Sequence, residues 1–234
     1  MSPQTWILLL IPLAYVLGSV PFGLLVGRAK GIDVRKAGSG NIGATNVGRL
    51  LGKRFFFLVF FLDLLKSFIP MVIASAIVAR VPQAERTWQL YLIWLMVGLA
   101  AVIGHMYSLF LGFKGGKGVA TSTGFALGVM PYYFYPCLVC LALFIITFYA
   151  WRYISLASIV GAMAFPVVYV LMGRWMGWPV AGEQWPLLAF AVLIGVMIVY
   201  KHRSNIARLL AGTENRFGSP RPQPTPTETS PPRA

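Results

Sequence analysis

Long apolar runs dominate this chain and fix its surroundings before anything else is read. Crossing the hydrocarbon core of a bilayer takes about 20 mostly apolar residues in helical form. Seven candidate segments follow one another, at residues 5–27, 55–79, 88–112, 117–131, 134–151, 153–173 and 185–201. The fourth is short and rich in glycine and threonine, and the join between the fifth and sixth, Trp151-Arg152-Tyr153, is tight, so six spans is the alternative. With 58% of its 234 residues hydrophobic and only 11% charged, a water-soluble fold would lack the polar surface to cover itself. The expected fold class is all-α integral membrane, a polytopic bundle of seven transmembrane helices. No basic stretch precedes the first run and no A-x-A-like cleavage site follows it, so it reads as a retained helix and not as a signal peptide.

The charges give the orientation. Of the 20 lysines and arginines, 16 fall in the segments after the first, third, fifth and seventh spans, three fall in the alternate loops, and Lys66 lies inside the second span. Loops rich in Lys and Arg stay in the cytoplasm. The N-terminus is therefore expected outside, the C-terminus in the cytoplasm, and the chemistry at the cytoplasmic face. Residues 1–217 read as one transmembrane domain. Residues 218–234, with six prolines, read as a disordered, proline-rich cytoplasmic tail. Positive-inside bias explains most of the net charge of +14, and no nucleic-acid partner is implied. Cys137 and Cys140 have C-x-x-C spacing but lie in an apolar stretch with no second ligand pair, which favours buried packing over redox or metal chemistry.

Three polar segments stand out. The first, AGSGNIGATNVGR at residues 37–49, alternates glycines 38, 40, 43 and 48 with Ser39, Asn41, Thr45 and Asn46 and ends on Arg49. Such a loop either offers N–H and side-chain donors to an anion, with Arg49 able to grip a phosphate through two parallel bonds, or is a solvated turn rich in capping residues. The second, GFKGGKGVATSTG at residues 112–124, is not a Walker A loop, because Gly118 stands where Ser or Thr is required. Phosphate binding remains open: a helix starting near Val119 directs N–H groups backward, and Lys114 and Lys117 supply point charges. The alternative is an ordinary cationic loop. The third, KHRSNIARLLAGTENR at residues 201–216, puts His202 and Asn205 on one helix face. Asp63 and Lys66, three apart within the second span, read as a pair that neutralises itself and fixes packing.

Several chemistries drop out. There is no G-x-S-x-G nucleophile elbow, no H-E-x-x-H, and no H-x-x-x-x-D pair, since Phe110 and Ala207 stand five residues after the two histidines. The six acidic residues are scattered, so no carboxylate cluster suggests a metal. An organophosphate transporter is the competing class. It would normally show internal repeats and a site near the bilayer midplane, whereas here no repeat is evident and the polar residues crowd one face.

Taken in order, SGNIGATNVGR, GFKGGKGVATSTG and KHRSNIARLLAGTENR resemble the three cytoplasmic motifs of the bacterial acyl-phosphate:glycerol-3-phosphate acyltransferases, the PlsY family. The resemblance runs from Gly18 to Arg216. It implies a multi-pass enzyme of the cell inner membrane with seven spans, which transfers a fatty acyl group from acyl phosphate to the 1-hydroxyl of sn-glycerol 3-phosphate. The products are lysophosphatidic acid and phosphate, the first acylation step of phospholipid synthesis. It further implies no cofactor, no metal and no obligatory protein partner beyond substrates and membrane lipid. Carried over position by position, Ser39, Arg49, Lys117, His202 and Asn205 are the expected active-site residues. The glycines of the second motif, Gly115, Gly116 and Gly118, match positions needed for glycerol 3-phosphate binding, and Glu214 matches a structural glutamate; the loop chemistry read above adds Gly40, Asn41, Thr45, Asn46 and Lys114 as expected substrate-binding residues. Ile42 stands where many members have proline, a change expected to alter loop stiffness only.

Overall fold

The computed structural model describes residues 2–218, so the expected tail, apart from Gly218, lies outside the described residues. Within them the chain forms ten α-helices: α1 (Pro3–Ser19), α2 (Phe22–Ala29), α3 (Ala44–Leu51), α4 (Lys53–Val78), α5 (Trp88–Met106), α6 (Val119–Gly128), α7 (Phe134–Trp151), α8 (Ile154–Trp175), α9 (Trp185–Lys201) and α10 (Arg203–Leu210). Ser2 caps α1 by accepting the Thr5 N–H, and Pro3 occupies the first turn, where its missing N–H costs nothing. Arg152, in the left-handed region at φ 60°, ends α7 and lets α8 begin two residues later.

Five stretches are long and apolar enough to cross a bilayer: Pro3–Ala29, α4, α5, α7 and α8. The pair α9 and α10, bent by 58°, qualifies together as a sixth. The expected fourth span differs. Only the ten residues of α6 are helical there, about 15 Å of rise against a core of about 30 Å. The chain nevertheless runs the length of α5: Gly116 donates its N–H to the His105 carbonyl (3.1 Å) at one end, and the Tyr132 and Tyr91 hydroxyls meet at 3.3 Å toward the other. Glycine lets α6 lie hard against α4. A Cβ on Gly124 would sit 2.1 Å from the Leu64 carbonyl oxygen, and one on Gly128 2.4 Å from the Met71 Cβ.

The same device joins α1 to α5, the most extensive helix contact in the bundle. A Cβ on Gly18 would meet the Ala101 carbonyl oxygen at 2.2 Å, and one on Gly104 the Tyr15 carbonyl oxygen at 2.4 Å. Small residues are the usual way helices approach in lipid, where burying apolar surface gives no advantage over leaving it in the bilayer. Trp94, Phe125, Tyr133 and Tyr169 fill the centre. The outward faces of α1, α4, α7, α8 and α9 carry exposed Leu13, Phe61, Ile146, Val167 and Val196, an apolar surface that suits a bilayer and not water.

A second, smaller apolar cluster forms at one end of the bundle from Leu24, Val34, Ile42, Val47 and Val59. It ties the 30–43 loop and α3 to the start of α4. Ile42 is therefore a packing residue, beyond any effect it has on loop stiffness. The ends of α5 and α9 and the start of α8 are gathered at this same end: Lys201 Nζ donates to the Met106 carbonyl (3.1 Å), and the Phe217 N–H to the Arg152 carbonyl (2.8 Å).

Candidate active site

A cavity of about 240 Å3 opens at this end and runs into the bundle. Its mouth is polar, with Ser39, Thr45, Arg49, Lys117, His202 and Asn205 on the wall. Its interior is apolar, with Phe56, Phe60, Phe144, Phe165, Phe190 and Ile194. All three polar sequence segments thus converge on one space.

The first segment is folded around Asn46. Its side-chain oxygen accepts the Ser39 N–H (2.8 Å), and its amide nitrogen lies within bonding distance of the carbonyls of Val34 (2.9 Å), Ala37 (3.1 Å) and Asn41 (2.9 Å). Asn41 Oδ1 accepts the Gly43 N–H (2.8 Å). Asn46 is buried and its polar atoms are spent on the loop, so its place is structural, setting where Ser39 stands at the cavity mouth. The side chain of Arg49, half-buried on α3, makes no hydrogen bond among the described residues. Burial pulls its pKa down and the Glu214 charge opposes this. A guanidinium stays protonated regardless, so Arg49 presents an unpaired fork to the cavity.

The second segment answers why a cationic turn should be so rich in glycine. A Cβ on Gly115 would lie 2.1 Å from the His105 carbonyl oxygen, one on Gly116 2.2 Å from His105 Nε2, and one on Gly118, at φ 83°, 2.4 Å from Met106 Cε. The turn is pressed against the last turn of α5, and this contact requires glycine whatever else binds. Lys117, just before α6, donates from Nζ to Asn205 Oδ1. Gly118 and Lys117 line the cavity; Gly40, Lys114, Gly115 and Gly116 lie off its wall, with Gly40 and Lys114 exposed.

In the third segment, His202 occupies the break between α9 and α10 and is 3% exposed. Its Nδ1 lies 2.8 Å from the Ile198 carbonyl, which can only accept, so Nδ1 carries the proton and a neutral ring keeps a bare Nε2. Burial and then the Lys117 charge push its pKa down to about 4, with the Ile198 carbonyl and Glu214 opposing. Asn205 donates to Glu214 Oε1 (2.7 Å). That carboxylate also takes bonds from Ser155 (2.8 Å) and Arg208 (2.7 Å). Burial raises the Glu214 pKa, but the bonds from Asn205, Ser155 and Arg208 outweigh it and hold the group ionised. Glu214 is the brace that fixes Asn205, and through it Lys117.

Sequence reasoning missed Asp63, His105, Ser155, Ser158 and Arg208 on the cavity wall. Arg208 was in a quoted segment, six residues before the glutamate it pairs with. Ser155 and Ser158 carried no signal, being ordinary small residues at the start of an apolar helix. The arrangement as a whole offers cations and a neutral acceptor at the head of an apolar channel, which suits an anionic group attached to a long hydrocarbon.

Comparison with known proteins agrees with this. Residues 8–212 match the profile of the glycerol-3-phosphate acyltransferase family. The glycerol-3-phosphate acyltransferase of Geotalea daltonii is 45% identical over 205 residues, covering 87% of this chain and 94% of its own. That of Aquifex aeolicus is 46% identical over 213 residues, covering 90% and 98%. Two crystal structures of PlsY (YgiH), an integral membrane glycerol 3-phosphate acyltransferase, superpose closely. The glycerol 3-phosphate form has a TM-score of 0.75 at 44% identity, covering 91% of this chain and 96% of that one. The lysophosphatidic acid form has a TM-score of 0.74 at 43% identity, covering 91% and 95%.

Proposed function

The chain belongs to the glycerol-3-phosphate acyltransferase family, and from that premise we propose how its cavity works. The protein is an integral membrane enzyme that acylates glycerol 3-phosphate to lysophosphatidic acid. The donor is acyl phosphate. The observation that carries this reading is the convergence of unpaired Arg49, half-buried Lys117 and the bare His202 Nε2 at the head of one apolar channel. The channel takes the acyl chain. Arg49 and Lys117, with N–H donors of the Ser39 loop and the start of α6, hold two phosphates that would otherwise repel each other.

The 1-hydroxyl of glycerol 3-phosphate attacks the acyl carbonyl carbon, a tetrahedral intermediate forms, and the carbon–oxygen bond to phosphate breaks. Phosphate is a good leaving group, so no covalent acyl-enzyme is required. The proton needs a destination. Burial pushes the His202 pKa down to about 4, so its ring is a weak base, and the proton passes to the phosphate released from the donor, which departs as hydrogen phosphate. His202 orients the hydroxyl by accepting its hydrogen bond, and Asn205 keeps Lys117 in place.

The enzyme sits in the inner membrane with seven passes, the N-terminus outside and the cavity mouth toward the cytoplasm. The placement of 16 of the 20 basic residues supports this. So does the course of the 116–132 segment along α5. No protein partner is needed for turnover. The deciding experiment supplies purified protein in detergent with acyl phosphate and glycerol 3-phosphate, without added metal, and follows lysophosphatidic acid. Formation of product is expected. Turnover with acyl-CoA and none with acyl phosphate would overturn the donor assignment.

A further inference from the structure

A second polar cluster reaches the cavity wall through Asp63 and His105 and continues behind it to Lys66. Asp63 and Lys66 are 2% exposed and His105 is 4% exposed. Lys66 Nζ lies 2.8 Å from Asp63 Oδ1, 2.9 Å from His105 Nδ1 and 3.1 Å from the Val20 carbonyl oxygen. The contact with Asp63 is an ion pair, and those with His105 and Val20 are hydrogen bonds; an ammonium has donors and no acceptor, so Nδ1 receives its bond on a lone pair. The ring is then neutral, with its proton on Nε2. That Nε2 edge faces Gly116, where a Cβ would come within 2.2 Å, and the His105 carbonyl accepts the Gly116 N–H (3.1 Å). Gly116 immediately precedes Lys117.

We propose that Asp63, Lys66 and His105 are positioning residues that set where the Gly115–Gly116 turn presents Lys117 to the cavity. Lys66 holds the imidazole from behind, and the imidazole is the surface on which the turn rests. Asp63 makes a buried ammonium tolerable. If the pair served charge neutrality alone, Asp63 would suffice. The contact to His105, and a glycine against the far edge of that ring, carry the effect onward to the site. This rests on the reading above that Lys117 engages a substrate phosphate.

The test removes the device without stranding a buried charge. Replacing a buried ion pair by apolar residues of similar volume is often neutral for stability, so the double variant Asp63→Leu/Lys66→Met is expected to fold with little change in Tm. Its kcat/KM for glycerol 3-phosphate should fall roughly 10- to 100-fold, the usual cost of a small misplacement, with the loss chiefly in KM. His105→Leu leaves the ion pair in place and should show the same split, which carries the test should the double variant not fold. Combining all three changes should cost no more than the larger effect, because both act through one contact. Lys117→Ala is the reference. Wild-type kinetics there would overturn the role of Lys117 and this inference with it. An impaired Lys117→Ala beside folded Asp63→Leu/Lys66→Met and His105→Leu enzymes with wild-type KM, or strictly additive losses, would overturn the inference alone.

Discussion

At the scale of single residues, the site turns on two side chains whose chemistry is set by what surrounds them. The side chain of Arg49 has no hydrogen-bond partner among the described residues, so its planar fork is free for a phosphate. A lysine at that position keeps the charge and loses the paired geometry. Arg49→Lys should therefore lower kcat/KM for glycerol 3-phosphate by roughly 10²-fold, the worth of one well-placed donor. Equal kinetics in that variant would show that charge alone matters. His202 gives a prediction of shape. Its pKa is pushed down to about 4, which favours the neutral ring, so activity needing a neutral acceptor persists as pH falls and is lost only near 4. A profile of kcat against pH should lack the imidazole limb near 6.5 that an unperturbed histidine gives. His202→Ala should cost roughly 10²–10⁴ in rate. His202→Gln should recover much of that, because its amide oxygen can accept from the substrate hydroxyl. A folded Gln variant as inactive as Ala, with a limb near 6.5 in the wild type, would make His202 the base.

At the scale of elements, the sequence disclosed its apolar runs and its three polar segments, because both are local patterns. Arg49, Lys117, His202 and Asn205 lie on one cavity for that reason. It could not disclose what opposes a residue in space. Asp63 and Lys66 are legible as an i, i+3 pair, but their third partner His105 comes 39 residues after Lys66, on another helix. The fourth span was legible as short and rich in glycine and threonine, but the end of its helix at Gly128 was not, because Val129 and Met130 are as apolar as a helix would be while forming a turn. The glycines at 115, 116 and 118 were legible as special, but the surface they meet is the end of α5. This makes the second segment testable as an element. Gly116→Ala and Gly118→Ala should raise KM for glycerol 3-phosphate by displacing Lys117, with Gly118→Ala the worse because φ 83° strains any Cβ as well. Gly112 is also left-handed, at φ 58°, but nothing lies within 4 Å of a Cβ there. Asparagine tolerates that conformation, so Gly112→Asn should keep wild-type kinetics. A loss at Gly112 equal to that at Gly118 would mean that backbone strain, and not the contact with α5, governs the turn.

At the scale of the whole molecule, polarity is asymmetric twice over. The cavity is cationic at its mouth and apolar within, and the segments rich in Lys and Arg at 28–54, 114–117 and 201–216 supply residues to that mouth. These two asymmetries have one consequence if the basic end faces the cytoplasm: a soluble dianion reaches the mouth from water while the acyl chain remains at membrane depth. Orientation is therefore part of the mechanism and can be measured directly. Cys137 and Cys140 are free but buried, so introduced thiols can be read against a low background. Lys36 and Gln83 are both exposed. Lys36 lies in the loop that leads to Ser39, and Gln83 in the turn between α4 and α5, at the opposite end of α4. With a membrane-impermeant thiol reagent on intact cells, Gln83→Cys should label and Lys36→Cys should not. Permeabilising the cells should expose Lys36→Cys while leaving Gln83→Cys unchanged. The reverse pattern would put the cavity mouth outside, and the count of basic residues would then have misread the direction of insertion. Labelling of both positions on intact cells would be incompatible with a single orientation of α4 across the bilayer.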